Sequence, residues 1–535
     1  MSEGIVRTSD EHQPPASTTM NGARALLATL AANEVNVCFA NPGTSEMHFV
    51  AALDDAPEMR GVLCLFEGVA TGAADGFARV SGRPAATLLH LGPGLANGWA
   101  NLHNARRGHV PLVNIVGDHA TYHAIYDAPL QSNIESLAAP LEGWYHRSTH
   151  AGQLAQDAAN AVAASYGPPG QVATLVVPAD VSWNAVEAPS SWPRATALAP
   201  PRVDEEELAL SVRVLRSRRT VLLLGGSLTH EHLTLAHRVA RATSSRVVME
   251  TFPTIVERGA GIPEPERLNY LSEFALDQLK DAETVILIGA REPASFFAYP
   301  HLASRLVPDA AEMIDLVAPG GDVGPALRAL VDALAAPTVT LERGDPPLSP
   351  RGDLTSQTFA AAVAATLPEG IIIADESNTS GVHLSDALRF APAHRWMTLT
   401  GGAIGYGLPV AAGAAVASQG RVLALESDGS MMYTVQALWT MAREGLDVTV
   451  VGLSNRSYAI LNFELSRVGA GTAGEASARL LDIDNPTLDL AGLASSQGVP
   501  SVRVTSAEEL TAALERSYAT PGPMFIEAVL PKRFG

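Results

Sequence analysis

The chain has almost no lysine. Of its 535 residues only Lys280 and Lys532 are lysines, and neither lies beside a glycine-rich loop. A P-loop nucleotide site and a Schiff-base site both need a lysine at a defined position. The sequence therefore argues against both kinds of enzyme.

Cysteines and long apolar runs are also scarce. The two cysteines, Cys38 and Cys64, lie in strand-like apolar runs and are expected to fill the core rather than form a disulfide. No run of about 18 apolar residues occurs, so no membrane span is predicted. Residues 1–18 are polar, lack a signal-peptide core and are predicted to be a disordered extension. A net charge of −20 argues against nucleic acid as a partner and is typical of an acidic cytoplasmic protein.

Two proline-rich stretches, 188–202 and 336–353, divide the chain into three parts. We predict an N-terminal domain at 19–187, a central domain at 203–335 and a C-terminal domain at 354–535. In each part short apolar strands alternate with alanine-rich helical stretches, which indicates an α/β fold. The predicted strands are residues 35–40, 61–66, 85–89, 112–116, 173–177, 220–226, 246–250, 284–290, 371–375, 422–427, 448–454 and 524–530.

The most informative motif is Asp428-Gly429-Ser430, which follows one predicted strand, with Asn455 after the next. A helix is predicted between them, over 431–444. Both strands of a parallel strand–helix–strand unit end at one edge of the sheet, so Asp428 and Asn455 are expected side by side. Carboxylate and amide oxygens suit Mg²⁺, and free N–H groups at Gly429 and Ser430 would hold phosphates. Asp-Gly-Ser is also a common turn, but in this context it predicts a magnesium-diphosphate clamp.

This spacing resembles the cofactor motif of thiamine-diphosphate enzymes, and the resemblance extends over nearly the whole chain. In those enzymes Gly-Asp-Gly is followed, after a gap in the mid-twenties, by Asn-Asn. Here Ser427 and Ser454 replace the first Gly and the first Asn, while Asp428 and Asn455 keep the metal-ligand positions. The resemblance implies Ser457 as a third ligand, through its carbonyl. It also implies three doubly wound parallel-sheet domains, termed pyrimidine-binding, central and diphosphate-binding.

Glu67 is the predicted catalytic acid. It follows the apolar run 61–66 and opens the helix-like stretch 68–82. Burial raises the pKa of a glutamate, which can then share a proton with a ring nitrogen. The stretch resembles the glutamate motif of thiamine-diphosphate enzymes, in which this residue activates the cofactor's aminopyrimidine. The alternative is an ordinary glutamate at a helix start.

Two further strand ends supply candidate residues. Thr44 and Ser45 stand in a loop that faces the substrate in the family, and their hydroxyls suit a carboxylate. The alternative for them is a helix cap. His90 ends the strand at 85–89, matching the active-site histidine of benzoylformate decarboxylases. The resemblance implies a proton donor there, with an imidazole of no catalytic role as the alternative.

The resemblance assigns the remaining site residues. Gly402 and Ile404 match the segment under the thiazolium ring, although a glycine run also suits close helix packing. The predicted cofactor-binding residues are Gly402, Ile404, Asn378, Thr379, Asp428, Gly429, Ser430, Asn455 and Tyr458. The predicted magnesium ligands are Asp428, Asn455 and Ser457. The predicted substrate-pocket residues are Thr44, Ser45, His90, Phe296, Phe297 and Ile460. The bulk of Ile460 favours short aliphatic acids.

The implied reaction is decarboxylation of a 2-oxo acid on thiamine diphosphate. The resulting enamine is protonated to an aldehyde, or it attacks a second carbonyl to form an acyloin. The loop at 92–94 and the chain length favour the acetolactate synthase branch, whereas His90 favours the benzoylformate decarboxylase branch. One alternative is a thiamine-diphosphate-binding subunit without activity. Another alternative is a flavin or dinucleotide oxidoreductase that would bind its cofactor at Gly225 and Gly226.

The resemblance also implies an assembly. In the family the catalytic glutamate and the diphosphate clamp of one site come from different chains. The protein is therefore expected to form a homodimer or a dimer of dimers.

Overall fold

The N-terminal unit is built on a six-stranded parallel sheet. The structure, a computed structural model, describes residues 19–532 apart from residues 197, 200, 342 and 419. The strands of this unit are β1 (Thr19–Asn21), β2 (Val37–Asn41), β3 (Arg60–Leu63), β4 (Ala85–Leu89), β5 (Leu112–Asp118), β6 (Tyr145–Arg147), β7 (Val172–Pro178) and β8 (Ala185–Glu187). The helices are α1 (Gly22–Ala32), α2 (Met47–Ala52), α3 (Glu67–Ser81), α4 (Leu91–Arg107), α5 (Ile134–Ala138), α6 (Leu154–Tyr166) and α7 (Ala179–Trp183). The sheet order is β3-β2-β4-β5-β7-β6, and β1 pairs with β8 separately.

Helices cover both faces of this sheet because its central strands are apolar on both sides. Alternate residues of a strand point to opposite faces. In β4, Ala86 and Leu88 pack with α1 and α6, whereas Ala85 and Leu89 pack with α3 and α4. The unit is therefore doubly wound, as the sequence predicts.

The central unit has a five-stranded parallel sheet of order β13-β11-β9-β14-β15. The strands in this part of the chain are β9 (Thr220–Leu224), β10 (Ser227–Leu228), β11 (Arg246–Met249), β12 (Ile255–Arg258), β13 (Glu266–Arg267), β14 (Thr284–Ile288) and β15 (Glu312–Val317). The helices are α8 (Glu205–Leu215), α9 (His230–Thr243), α10 (Ser272–Leu279) and α11 (Val323–Leu334).

The C-terminal unit has an eight-stranded sheet of order β10-β12-β17-β16-β18-β19-β21-β20. Its own strands are β16 (Ile372–Glu376), β17 (His394–Met397), β18 (Val422–Ser427), β19 (Val448–Ser454), β20 (Ser501–Val504) and β21 (Met524–Val529). The helices are α12 (Ser356–Thr366), α13 (Leu384–Ala387), α14 (Gly407–Ala417), α15 (Asp428–Met431), α16 (Ala437–Glu444), α17 (Ala459–Arg467), α18 (Glu475–Leu481), α19 (Leu490–Ser496) and α20 (Ala507–Ala519). β10 and β12 come from the central part of the chain, and β12 joins β17 antiparallel.

The three units share hydrophobic cores. One cluster contains Ala73 of α3 and Ala411 of α14, and so spans the N-terminal and C-terminal units. A second contains Leu222 of β9 and Ile373 of β16, and so spans the central and C-terminal units. The helix that begins at Glu67 is therefore packed directly on the C-terminal unit.

The predicted helix over 431–444 is wrong, because the chain forms two short helices separated by turns at 432–436. Tertiary contacts explain the break. The Thr434 hydroxyl donates to the Gly405 carbonyl over 3.0 Å. The Tyr433 side chain also packs on Gly405.

Three further expectations concern the cysteines, membrane-spanning helices and the N-terminal extension. Cys38 and Cys64 are buried and free, as predicted. Across the described ranges no helix is both long and apolar enough to cross a membrane. The predicted disordered extension, residues 1–18, lies outside the described residues.

Candidate active site

Asp428 and Asn455 lie side by side at the carboxyl edge of the third sheet. They directly follow β18 and β19, which are parallel neighbours. The Arg456 N–H group donates to Asp428 Oδ2 over 2.5 Å and ties the two strand ends together. Both side chains are buried, at 2% and 7% residue exposure. The structure thus brings together the two predicted metal ligands.

Local hydrogen bonds orient the oxygens of this pair. The Gly429 N–H group donates to Asp428 Oδ1 over 2.9 Å, and the Ser457 N–H group donates to Asn455 Oδ1 over 3.0 Å. Burial raises the pKa of Asp428 to about 6, although the N–H groups of Arg456, Gly429 and Asn455 lower it. A carboxylate, an amide oxygen and the Ser457 carbonyl are hard donors, so this set fits Mg²⁺.

Ser427, which stands where the family has glycine, belongs to a polar network. Its hydroxyl donates to Ser430 Oγ over 2.9 Å and to the Glu376 carbonyl over 3.2 Å. Asn378 Nδ2 donates to both serine hydroxyls, over 2.7 and 2.9 Å. Thr379 is the next residue and is half-buried. Hydroxyl and amide groups suited to phosphate oxygens therefore surround the loop at 427–430.

Tyr458 covers the same loop. A Cβ at Gly429 would lie 2.4 Å from Tyr458 Cε1, so the ring packs directly on the glycine Cα. The Tyr458 N–H group donates to the Leu481 carbonyl over 2.9 Å, which holds the turn against α18. Only glycine permits this close approach at position 429.

Glu376 shapes the loop that contains Gly402 and Ile404. Its carboxylate accepts hydrogen bonds of 2.7 to 2.8 Å from the N–H groups of residues 405–407. Burial raises the pKa of Glu376 to about 7, although these three bonds lower it. Gly402 has a φ of +74°, which favours glycine. Ile404 is half-buried against the shared core.

Glu67 lies at the carboxyl edge of the first sheet, at the start of α3, and is 7% exposed. Asn97 Nδ2 donates to Glu67 Oε2 over 3.1 Å. A Cβ at Gly94 would lie 3.1 Å from Glu67 Oε1, so the glycine leaves space beside this second oxygen. Asn97 thus binds Oε2, whereas Oε1 lies beside a residue that has no side chain.

His90 stands at the same edge and is held by Glu46. His90 Nδ1 lies 2.7 Å from Glu46 Oε2, and the Gly43 N–H group donates to that oxygen over 2.7 Å. Two short bonds to one oxygen favour an ionised carboxylate with the proton on Nδ1, which leaves Nε2 free. Burial raises the pKa of Glu46, while His90 and the Gly43 N–H group lower it.

Glycines make room for this pair. A Cβ at Gly43 would lie 2.3 Å from His90 Nδ1, and a Cβ at Gly117 would lie 1.7 Å from Glu46 Oε1. The side chain of Glu46 is 1% exposed and that of His90 is 23% exposed. A buried carboxylate thus positions a partly exposed imidazole.

The predicted substrate residues occupy three places. Thr44 is exposed and Ser45 half-buried, in the turn between β2 and α2. Phe296 and Phe297 are in contact with each other, at 5.1 Å between ring centroids, and a Cβ at Gly402 would lie 2.4 Å from Phe296 Cζ. Ile460 is half-buried on α17.

The site residues form two groups within one chain. The first is at the carboxyl edge of the first sheet and includes Glu67, His90 and Glu46. The second is at the carboxyl edge of the third sheet and includes Asp428 and Asn455. No hydrogen bond or ion pair links the two groups in the part of the chain that the structure describes.

Sequence reasoning missed three of these residues. Asn97 holds Glu67, Glu376 holds the 405–407 backbone, and Glu46 holds His90. Only Glu46 had a local signal, because a glutamate three residues after Gly43 has the spacing that returns a side chain to the first N–H group of a helical turn.

The glycine pair after β9 does not fit a dinucleotide. The Gly225 N–H group donates to the Ile288 carbonyl over 3.1 Å, and the Gly226 N–H group donates to Glu250 Oε1 over 2.6 Å. A Cβ at Gly225 would lie 2.6 Å from the Ala290 Cα. The N–H groups that a diphosphate would need are therefore bound within the chain.

Comparison with known proteins identifies the family of the chain. The family model "Thiamine pyrophosphate enzyme, N-terminal TPP binding domain" matches residues 20–138. The model "Thiamine pyrophosphate enzyme, C-terminal TPP binding domain" matches residues 379–528. The first match contains Glu67 and His90, and the second contains Asp428 and Asn455.

Similar proteins cover nearly the whole chain. IlvX of Mycobacterium tuberculosis, named as a candidate acetolactate synthase large subunit, is 54% identical over 96% of this chain and 100% of its own length. Benzoylformate decarboxylase of Pseudomonas aeruginosa is 29% identical over 91% of this chain and 95% of its own length. The solved structure of a 4-hydroxybenzoylformate decarboxylase of Rhodococcus jostii superposes with a TM-score of 0.81 at 22% identity. The superposition covers 96% of this chain and 100% of that chain. The chain belongs to the thiamine pyrophosphate enzyme family, and it has the fold and the cofactor of that family.

Proposed function

We propose that the protein decarboxylates a short 2-oxo acid and that His90 delivers the proton that releases an aldehyde. The observation that carries the proposal is the bond between His90 Nδ1 and the buried Glu46 carboxylate. This bond fixes the imidazole through Nδ1 at a partly exposed position, so Nε2 is the ring atom that would take up a proton and pass it to the product.

Bound thiamine diphosphate supplies the electron sink that makes loss of carbon dioxide feasible. Asp428, Asn455 and the Ser457 carbonyl would hold Mg²⁺. The residues that would contact the diphosphate and the rings are Asn378, Thr379, Gly429, Ser430, Tyr458, Gly402 and Ile404.

Glu67 would exchange a proton with the pyrimidine ring through Oε1. Asn97 already occupies Oε2, and Gly94 keeps the space beside Oε1 open.

The hydroxyl groups of Thr44 and Ser45 would bind the substrate carboxylate. These two residues directly precede Glu46 in the chain. Ile460, Phe296 and Phe297 would form apolar walls. Walls made of a branched aliphatic side chain and two aromatic rings would leave room for a short acid rather than a bulky one. We therefore place pyruvate and its near homologues ahead of benzoylformate as substrates.

Carboligation to an acyloin or acetolactate is the second candidate function. The observation in its favour is the 54% identity to IlvX, which is named as a candidate acetolactate synthase large subunit. The two functions differ only in whether a proton or a second carbonyl compound captures the acyl group.

A shared site in a homodimer is part of the proposal. Exposed apolar side chains occur in the segments that follow β2, β3 and β5 at the edge that carries Glu67 and His90: Met47, Leu65, Tyr122, Ile125, Tyr126 and Leu130. Such a patch marks an interaction surface, and a second copy would bring its own Asp428 clamp to this edge. A cytoplasmic location stays a prediction from the sequence.

The test is carbon dioxide release from a panel of 2-oxo acids that ranges from pyruvate to benzoylformate. Thiamine diphosphate and Mg²⁺ are added, and the products are identified. We expect turnover of short acids, aldehyde as the main product and a loss of about 100-fold or more in Glu67→Gln. Acetolactate as the main product would select the second candidate, and no turnover of any acid would refute both.

A further inference from the structure

Arg467, the last residue of α17, is half-buried and makes a set of directed contacts with the central unit. Its Nη2 donates to Glu273 Oε2 over 2.6 Å, and its Nη1 donates to the Tyr299 hydroxyl over 2.8 Å. Nη1 also donates to Glu464 Oε1 over 2.6 Å. The guanidinium lies over the Tyr299 ring at 4.0 Å, and the arginine side chain is 9% exposed. We call Arg467, Glu273 and Tyr299 the latch.

One end of the latch is the central loop at 291–305. Tyr299 belongs to this loop and is 7% exposed. Three residues earlier, Phe296 packs on Gly402, where a Cβ would lie 2.4 Å from its ring. Phe296 is also in contact with Tyr270, at 5.3 Å between ring centroids. The loop that the latch holds therefore supplies one proposed wall of the substrate pocket.

The other end of the latch is α17, which follows the clamp directly. The helix begins at Ala459, one residue after Tyr458, and carries Ile460 in its first turn. Beyond the helix, the loop passes Pro300, whose Cγ would be 3.7 Å from a Cβ at Gly469. The helix that the latch holds therefore carries a second proposed wall residue, Ile460.

We propose that Arg467 is a positioning residue that sets the width of the substrate pocket by holding α17 against the central loop at 291–305. The inference rests on the proposed function, since it assigns Ile460 and Phe296 to the walls of that pocket.

The chemistry of arginine suits this role. A planar guanidinium can bind a carboxylate, donate to a phenol hydroxyl and lie over the phenol ring at the same time. Each of these contacts restricts orientation as well as distance, so together they fix how close the helix comes to the loop. Lysine keeps the charge but loses the planar fork.

The test compares kcat/KM for pyruvate and for a longer acid, 2-oxohexanoate, in the wild type and in Arg467→Gln. A freed wall admits the longer acid, so we expect the ratio to move toward 2-oxohexanoate by about tenfold. Arg467→Lys should restore part of the selectivity. The dissociation constant for thiamine diphosphate should stay within about twofold, because the clamp is untouched.

Tyr299→Phe is the second variant, since it keeps the ring and removes only the hydroxyl that accepts from Arg467. It should shift selectivity in the same direction by a smaller factor. The matched control is Arg479→Gln on α18, because Arg479 forms an exposed pair with Glu475, at 78% and 88% side-chain exposure. An unchanged ratio in both latch variants, or an equal loss for both acids, would overturn the inference.

Hydrogen exchange separates this inference from the proposed function. Arg467→Gln should speed amide exchange in 459–467 and in 291–305 together, although the two segments are far apart in sequence. Arg479→Gln should leave 291–305 unchanged. If the wild type turns over no 2-oxo acid but the two segments still respond together, the latch exists and its role in selectivity is refuted. If 291–305 does not respond, the latch itself is refuted.

Discussion

Glu46 controls the proposed proton donor without reaching the substrate space itself. Its carboxylate is buried between His90 Nδ1 and the Gly43 N–H group, at 2.7 Å from each. In Glu46→Gln the neutral amide keeps the shape but binds the Nδ1–H group less strongly, so the free Nε2 loses its fixed direction. We expect kcat for aldehyde release to fall at least about tenfold. Steady-state kinetics with product identification measures this.

The readout that distinguishes positioning from general damage is the product ratio. If His90 delivers the proton, loss of its orientation should raise the share of acyloin when an aldehyde acceptor is present. Glu58→Gln, at an exposed position between α2 and β3, is the matched control and should change neither value. An unchanged product ratio in Glu46→Gln would remove Glu46 from the mechanism.

Glu250 is expected to make the stability of the central unit depend on pH. Burial raises its pKa from 4.5 to about 7, although the Gly226 N–H group and the charges of Arg291 and Arg107 lower it. A raised pKa means that the folded state binds the proton more tightly. The stability it contributes is therefore fully present below about 4.5 and is lost as pH rises through about 7.

Glu250→Gln should remove this dependence, because the amide oxygen can still accept from the Gly226 N–H group. We compare the free energy of unfolding of the variant with that of the wild type. The difference in favour of the variant should be about 2 kcal/mol larger at pH 8 than at pH 5. Urea unfolding at the two pH values measures the difference. Glu205→Gln, at an exposed residue of α8, should show no such gain. A pH-independent effect of Glu250→Gln would contradict the assignment.

Site residues at strand ends could be predicted from the sequence more readily than the residues that hydrogen-bond to them and fix their orientation. His90, Asp428 and Asn455 each end an apolar run, so a local pattern is enough to select them. Glu46 holds His90 only because β2 and β4 are neighbours in the sheet although β3 lies between them in the chain. No local pattern contains that adjacency. Supporting residues of this kind become visible only once the strand order is known.

α3 and α14 cross at glycines, and their contact carries the Glu67 helix. A Cβ at Gly413 would lie 1.7 Å from the Ala73 carbonyl oxygen, and a Cβ at Gly76 would lie 2.0 Å from the Val410 carbonyl oxygen. These neighbours are backbone atoms, which cannot move aside without moving a helix. The small residues of both helices are therefore required for the close approach.

Gly413→Ala should push the two helices apart. We expect a loss of about 2 kcal/mol or more in stability, even though alanine has the better helix propensity. Thermal unfolding of purified protein measures it. Gly152→Ala is the control, since a Cβ at Gly152 meets nothing within 4 Å. Equal stability of the two variants would show that the helices adjust without cost.

Elements that depend on local sequence could be predicted, whereas elements that depend on distant neighbours could not. Buried strands such as β4, β18 and β19 appear in the sequence at their observed bounds, because an apolar run ends in a turn or a polar residue. β6 and β17 were not predicted, since their residues are mixed in character and their pairing is set by neighbours. β12 could not be assigned to the third sheet, because its antiparallel partner β17 is more than 100 residues away.

At the level of the assembly, the two groups of site residues pose a geometric problem. Glu67 and His90 lie at the edge of the first sheet, and the Asp428 clamp lies at the edge of the third. Apolar side chains such as Ile125 and Tyr126, at 79% and 71% exposure, lie in the segment after β5 at the edge of the first sheet. A second copy that covers this surface would complete each site, so each site would use Glu67 from one chain and Asp428 from the other.

Complementation between two inactive variants tests this arrangement. Glu67→Gln and Asp428→Asn homodimers should each be inactive. After joint refolding, a mixed dimer would have one site with both substitutions and one site with neither. Random pairing of equal amounts then restores about a quarter of the wild-type activity.

The control is the Glu67→Gln/Asp428→Asn double variant refolded with the wild type. Its mixed dimers have one substitution in each site and should be inactive, so only wild-type homodimers contribute, again about a quarter of the wild-type level. Sites contained within single chains predict a different pair of values. The two single variants would then give no activity after joint refolding, whereas the double variant with the wild type would keep about half. The pair of experiments therefore decides between shared and separate sites without any knowledge of the natural substrate, provided that one 2-oxo acid is turned over.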